Sequence, residues 1–125
     1  MTVLLDTHTL LWWLDNPEIL SPDARAAMTD PTRSVYVSSI SIVEIAIKQS
    51  LGKLHVGKPL APAIAASHFS MLSLTYDHAL AVQELPAIHK DPFDRMLVAQ
   101  AKAEELTLVT ADKMLVKYGI PILKA

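Results

Sequence analysis

Cysteine is absent from this 125-residue chain. Disulfide frameworks and thiolate metal sites are therefore excluded, which agrees with a reducing, cytoplasmic setting. An excess of positive charge is also missing. Eleven Lys and Arg stand against 13 Asp and Glu, a net charge of −2. That balance gives no global footprint for nucleic acid, so such a function must rest on a local basic rim together with bound metal. There is no long hydrophobic run. Leu10 to Leu14 is far too short to span a bilayer. Met1-Thr2-Val3 leads straight into a strand-like run without a basic leader, so neither a secretory signal nor a membrane association is expected. Repeats, low-complexity tracts and linkers are lacking as well, which predicts one domain over residues 1–125.

Apolar side chains are plentiful. They make up 51 % of the residues, high for a small chain with so much surface, and this predicts that a second subunit or a partner covers part of that surface. Strand-like and helix-like runs alternate. Val3 to Leu5 is a short all-apolar run of the kind buried on both faces of a sheet, and Thr7 to Leu14 reads as a helix. Ser21-Pro22-Asp23 is a helix start, with Ser21 as N-cap and Pro22 at the first helical position, for a helix to about Thr29. Val35 to Val37 is a second strand. Ser39 to Leu51 is a helix closed by Gly52. Pro59 and Pro62 open a helix through about Phe69, Met71 to Leu74 is a third strand, and Asp77 to Leu85 is helical up to Pro86. Pro92 opens a helix through about Glu105, Leu106 to Val109 is a fourth strand, and Ile120 to Leu123 is a fifth whose Pro121 places it at a sheet edge. Such alternation implies parallel βαβ units.

Four acids fall at matching places in this pattern. Asp6 closes Val3-Leu4-Leu5, Glu44 follows Val35-Tyr36-Val37 by two helical turns, Asp94 opens a helical run, and Asp112 follows Leu108-Val109-Thr110. In an open parallel sheet the carboxyl ends of the strands line one crevice, where these carboxylates would converge. Two such charges about 4 Å apart repel by roughly 4 kcal/mol at an effective dielectric near 20. A hard divalent cation, Mg²⁺ or Mn²⁺, is the natural counter-charge.

Each acid also has a structural explanation. Glu44 lies on the helical stripe Ile40, Glu44, Ile47, Leu51, where it is explained by a capping box with Ser41 or an i,i+4 pair with Lys48. Asp91-Pro92-Phe93-Asp94 reads as a helix start with both acids favoured by the helix dipole. Asp6 and Asp112 suit caps. The common sheet edge weakens the four explanations taken together. His8, His55, His68, His78 and His89 lack the spacing of a zinc helix. His8 reads as exposed. Ser39 and Thr110 suit either a bond to a carboxylate or a cap. Trp12 and Trp13 point about 100° apart, so one is expected in the core and the other partly exposed. Lys48, Lys90, Arg95 and Lys113 read first as solvated surface and second as phosphate contacts.

The runs Leu4-Leu5-Asp6-Thr7-His8, the helix with Glu44, His89 through Ala101, and Leu108-Val109-Thr110-Ala111-Asp112 together resemble a PIN domain. The resemblance is to the VapC-like ribonuclease toxins of toxin–antitoxin pairs, and it covers essentially the whole chain. It implies a three-layer α/β/α, Rossmann-like sandwich around a five-stranded parallel sheet. It implies an acidic quartet of Asp6, Glu44, Asp94 and Asp112, with Asp91 as a secondary candidate. Asp6 and Asp94 would be the main ligands of Mg²⁺ or Mn²⁺, and Glu44 and Asp112 would complete the shell. The implied activity is endonucleolytic hydrolysis of RNA, of which tRNA or rRNA is a possible target. A cognate antitoxin and a homodimer are the implied partners. A receiver-type module fits poorly, because Asp6 stands alone and Thr75-Tyr76 follows the third strand. The alternative is a catalytically silent PIN-fold module that binds RNA or a partner.

Overall fold

The computed structural model describes residues 2–125. Five parallel strands form one sheet: β1 (Val3–Leu5), β2 (Val35–Ser38), β3 (Ser70–Leu72), β4 (Thr107–Thr110) and β5 (Ile122–Lys124). Six α-helices connect them: α1 (Thr7–Asp15), α2 (Pro22–Thr29), α3 (Ser39–Ser50), α4 (Leu60–Ala66), α5 (Tyr76–Ala81) and α6 (Pro92–Ala103). The strand order is β3-β2-β1-β4-β5. The chain thus runs outward from β1 to β2 and β3, then crosses back to lay β4 on the other side of β1. The crevice above β1 and β4 is the topological switch point, where open parallel sheets bind their ligands.

Alternation along the central strands feeds two cores. Val3, Leu5, Val35, Val37 and Val109 face one side and pack with Leu10 of α1, Ala24 and Met28 of α2 and Ile64 of α4. Leu4 and Leu108 face the other and pack with Leu97, Val98 and Ala101 of α6. Helix α3 contributes Ile45 to the first core and Ile40 to the second. A sheet apolar on both faces needs helices on both, which makes the three-layer α/β/α sandwich.

The helix starts follow from local chemistry. Ser21 Oγ accepts from the Ala24 N–H at 3.0 Å and Pro22 opens α2. Asp91 caps α6 ahead of Pro92. Gly52, at φ 69°, follows the last turn of α3 in the left-handed region where a side chain is unfavourable.

Four expectations shift. The Pro59–Phe69 helix is observed only as Leu60–Ala66, because His68 turns at φ 60° and sends Phe69 into the core. The third strand begins and ends earlier, at Ser70–Leu72, because its ladder pairs Tyr36 with Ser70 and Ser38 with Leu72. The Leu74 N–H has turned to Ser39 Oγ, at 3.0 Å. The Asp77–Leu85 helix breaks into α5 and a 3₁₀ turn at Val82–Glu84, whose flanking carbonyls are drawn to Arg95. Finally, the stripe along α3 is split. Ile40 and Glu44 are buried, whereas Ile47 and Leu51 join Val43 on an exposed apolar row. Pro121 precedes β5, which is an edge strand as anticipated.

Candidate active site

Asp6 leaves β1 as the N-cap of α1. Its Oδ1 accepts from the Thr9 N–H at 2.8 Å, and its Oδ2 accepts from Thr110 Oγ1, at the end of β4, at 2.5 Å. The Thr110 hydroxyl accepts in turn from the Asp112 N–H at 3.0 Å, so its proton is directed at Asp6. The two strands flanking the switch point are thereby tied through their polar ends. Asp6 is only 5 % exposed, and burial raises its pKa despite the bonds from Thr110 and Thr9.

Glu44 enters from α3 and is 3 % exposed. Lys48 Nζ donates to its Oε2 at 2.5 Å, which is the i,i+4 pair. Its other oxygen, Oε1, is buried with no hydrogen-bond partner. The capping box with Ser41 does not form. Ser38 is the N-cap of α3, and Ser41 Oγ is occupied by a bond from Thr7 Oγ1 at 3.0 Å. A buried carboxylate oxygen without a donor costs about 1–3 kcal/mol or more, so the Lys48 pair accounts for only half of this side chain.

Asp94 lies on the first turn of α6. Its pKa is pushed up to about 7, first by burial and then by Asp91, Asp6 and Glu44, with His89 acting in the opposite sense. Asp91 is committed to the cap, its Oδ1 accepting from the N–H groups of Phe93 (2.8 Å) and Asp94 (3.3 Å). Asp112 joins the group through His89, whose Nε2 lies 2.9 Å from Asp112 Oδ2 and 3.4 Å from Asp94 Oδ2. Ligand atoms of His89, Asp94 and Asp112 all lie within 4.8 Å of one another. Asp94 is therefore the hub. It feels Asp6, Glu44 and Asp91 electrostatically and meets Asp112 across the imidazole.

His89 is the member that sequence reasoning missed. Its only signal was its place at the head of the His89-Lys90-Asp91-Pro92-Phe93-Asp94 run. Arg95 corrects an expectation in the other direction. Its guanidinium donates to the carbonyls of Pro86 (2.9 Å), Val82 (3.2 Å) and Leu85 (3.4 Å) and to the Tyr118 hydroxyl (3.2 Å). It clamps a loop and is not free for phosphate. Lys90 and Lys113 are exposed at the rim. Ser39 binds the Leu74 N–H instead of a carboxylate. His8 is exposed. Both tryptophans are half-buried against the first core, so the expected division into one core and one exposed ring does not hold. Trp13 stays partly open because its Nε1–H donates to Ser67 Oγ at 2.9 Å.

The PIN domain family matches residues 3–121. The chain belongs to this family. It is 30 % identical over 123 residues to Ribonuclease VapC22 of Mycobacterium tuberculosis, covering 96 % of this chain and 94 % of that one. Among solved structures, this PIN domain resembles a chain of VapBC2 from Rickettsia felis bound to a promoter DNA fragment (TM-score 0.74, 14 % identity, 98 % of each chain). It also resembles a chain of DNA-bound VapBC from Salmonella typhimurium (TM-score 0.70, 22 % identity, 98 % of this chain and 97 % of that one). At those identities the likeness is one of fold. In this sheet Asp6 and Asp112 follow the carboxyl ends of β1 and β4, the edge at which open parallel sheets bind ligands. The donor set is carboxylate oxygens with one imidazole beside them, chemistry that suits a hard divalent cation.

Proposed function

We propose that this PIN domain is a divalent-cation-dependent endoribonuclease and the toxin of a toxin–antitoxin pair. The observation that carries the reading is Asp94, a carboxylate pushed up to about 7 amid Asp91, Asp6 and Glu44. Groups shifted this far by burial and neighbouring charge are concentrated at functional sites, and the ligand atoms of Asp94, Asp112 and His89 lie within 4.8 Å of one another. The ribonuclease relative supports the reaction class, and the VapBC complexes support a protein antitoxin as partner.

Asp6 and Asp94 would hold the Mg²⁺ or Mn²⁺, and Glu44, through its unpartnered Oε1, and Asp112 would complete its surroundings. When bound, the cation activates water and neutralises charge developing on the phosphodiester. Thr110 keeps Asp6 in one orientation. The Asp91 cap sets the first turn of α6 and hence the position of Asp94. Lys90 and Lys113 at the rim suit contacts with the RNA backbone. RNA would be cut in a single-stranded or loop region, where the scissile phosphate is accessible, tRNA and rRNA being the classes to test. The exposed apolar row Val43, Ile47 and Leu51 on α3 supports a homodimer. Light scattering at micromolar concentration checks that, and a clean monomer would remove it. A cytoplasmic location follows from an RNA target. No helix among the described residues is long and apolar enough to cross a membrane.

The deciding experiment is induced expression in a bacterium of wild type beside Asp94→Asn, with growth and RNA 5′ ends followed together. Arrest with discrete new ends in wild type only is the expected result. Arrest by both proteins without new ends would overturn cleavage in favour of a silent RNA-binding module.

A further inference from the structure

The spacing of the histidines does not mark His89, yet the residue is anchored at every polar atom. Its backbone N–H donates to the Tyr118 hydroxyl at 2.9 Å, and that hydroxyl also receives Arg95 Nη1 at 3.2 Å. The same guanidinium holds the carbonyls at Val82, Leu85 and Pro86. The loop that leads into His89 is therefore fixed to α6. On the ring, Nδ1 accepts from the Asp91 N–H at 3.0 Å. A ring nitrogen that accepts a hydrogen bond carries no proton, so the proton of the neutral imidazole lies on Nε2. That N–H is aimed at Asp112 Oδ2, at 2.9 Å, with Asp94 Oδ2 at 3.4 Å. The other oxygen of Asp112 accepts from the Met114 N–H at 2.9 Å, so the imidazole completes the orientation of this carboxylate.

His89, Asp94 and Asp112 have the spacing of a three-ligand metal site, but the tautomer argues against ligation by the imidazole. A protonated Nε2 offers no lone pair to a cation. Moving the proton to Nδ1 would set it against the Asp91 N–H, donor facing donor. We propose that His89 is a positioning residue: it fixes Asp112, beside Asp94, for cation binding and does not itself ligate the cation. The inference rests on the cation-dependent reading above and assigns this chain a residue outside its acidic quartet. Partners that orient metal-binding groups typically account for about 10–100-fold in affinity.

The test is a MnCl₂ titration followed by electron paramagnetic resonance on wild type, His89→Gln and His89→Leu, without RNA, with circular dichroism as the check on folding. Bound Mn²⁺ in wild type should show no coupling to a directly bonded nitrogen. His89→Leu should weaken Mn²⁺ binding by about 10–100-fold. His89→Gln keeps an N–H donor of similar reach and should recover most of that loss. A directly bonded nitrogen in wild type would overturn the proposal, and so would a folded His89→Leu that binds Mn²⁺ like wild type. The nitrogen measurement decides even if His89→Leu does not fold. A wild type that binds no Mn²⁺ overturns this proposal together with the cation reading. RNA plays no part, so a failure of the ribonuclease reading alone leaves the outcome standing.

Discussion

Two polar clusters on this fold, each with buried members, are built differently. Behind α6, Ser38 Oγ donates to Gln100 Oε1 at 2.5 Å. Gln100 Nε2 approaches His78 Nδ1 at 3.4 Å, which also accepts from the Thr75 N–H at 3.1 Å. His78 Nε2 meets Glu104 Oε1 at 2.8 Å. Donor meets acceptor at each link. Across the sheet edge, the acidic pocket holds an unpartnered Glu44 oxygen and an Asp94 pushed up to about 7 by burial and neighbouring acids. Native proteins satisfy buried polar groups almost everywhere. A satisfied cluster helps specify the fold, whereas a mainly acidic cluster with an unpartnered oxygen is a candidate for a ligand.

Asp94→Asn should break the comparison most sharply. It removes a charge from the crowded pocket, so the metal-free protein should melt at a higher temperature. Cleavage should nonetheless fall by about a thousandfold or more, because several kcal/mol of charge stabilisation are at stake and each 1.4 kcal/mol is tenfold in rate. Retained cleavage would refute the role given to Asp94. The counterpart in the satisfied cluster is Gln100→Leu. It leaves the proton of the Ser38 hydroxyl without an acceptor, although its oxygen still accepts from the Ile40 N–H, and should cost about 1–3 kcal/mol, a fall of several degrees in Tm, with cleavage per folded molecule nearly unchanged. A Gln100→Leu protein as stable as wild type would mean that the network is dispensable.

A pH series sharpens the same contrast. The Asp94 carboxyl titrates near 7 in the folded state against 3.8 as its ordinary value, and burial shifts Asp6 in the same direction. The folded protein thus holds protons that the unfolded chain has released. Without metal its stability should fall as pH rises from about 4 to 7 and then level off, by linkage. Bound Mn²⁺ displaces those protons, so the rise in Tm that it confers should grow over the same window. Thermal melts with and without MnCl₂ check this. A metal-free Tm independent of pH would count against a crowded site.

Much of this was legible beforehand, for identifiable reasons. Caps are local, so Ser21-Pro22 and Asp91-Pro92 announce α2 and α6 from a few residues. The all-apolar Val3-Leu4-Leu5 run marks a strand covered on both faces, and a parallel sheet then brings strand ends such as Asp6 and Asp112 to one edge. What escaped depends on contacts between elements. His89 gains its place only when Arg95 and Tyr118 fold over its loop, and Arg95 reads as a surface cation until five acceptors surround it, the His89 carbonyl at 3.5 Å being the fifth. Helical spacing puts Ile47 and Leu51 on a stripe with Glu44 but does not say where the sheet stops covering that stripe. The 3₁₀ turn after α5 follows from Arg95 drawing on carbonyls whose distance in sequence hides the contact.

Lys48 sits between the two kinds of cluster and gives the smallest effect. It satisfies one oxygen of Glu44, and its pKa is raised first by that bond and further by Asp91 and Asp94. It is thus the pocket's built-in positive charge, though its side chain is 40 % exposed. Because Glu44 is buried, the pair is worth more than an exposed i,i+4 pair at about 0.3–0.5 kcal/mol, and Lys48→Gln should lower stability by about 1 kcal/mol in a urea titration. Removing a nearby cation also leaves the carboxylates more attractive to another. Mn²⁺ should then bind more tightly, by no more than about fivefold for an interaction of up to 1 kcal/mol. Weaker stability with stronger metal binding is a combination that a purely structural salt bridge does not produce. Mn²⁺ binding that weakens in Lys48→Gln would show that Lys48 holds Glu44 in place for the cation rather than standing in for it.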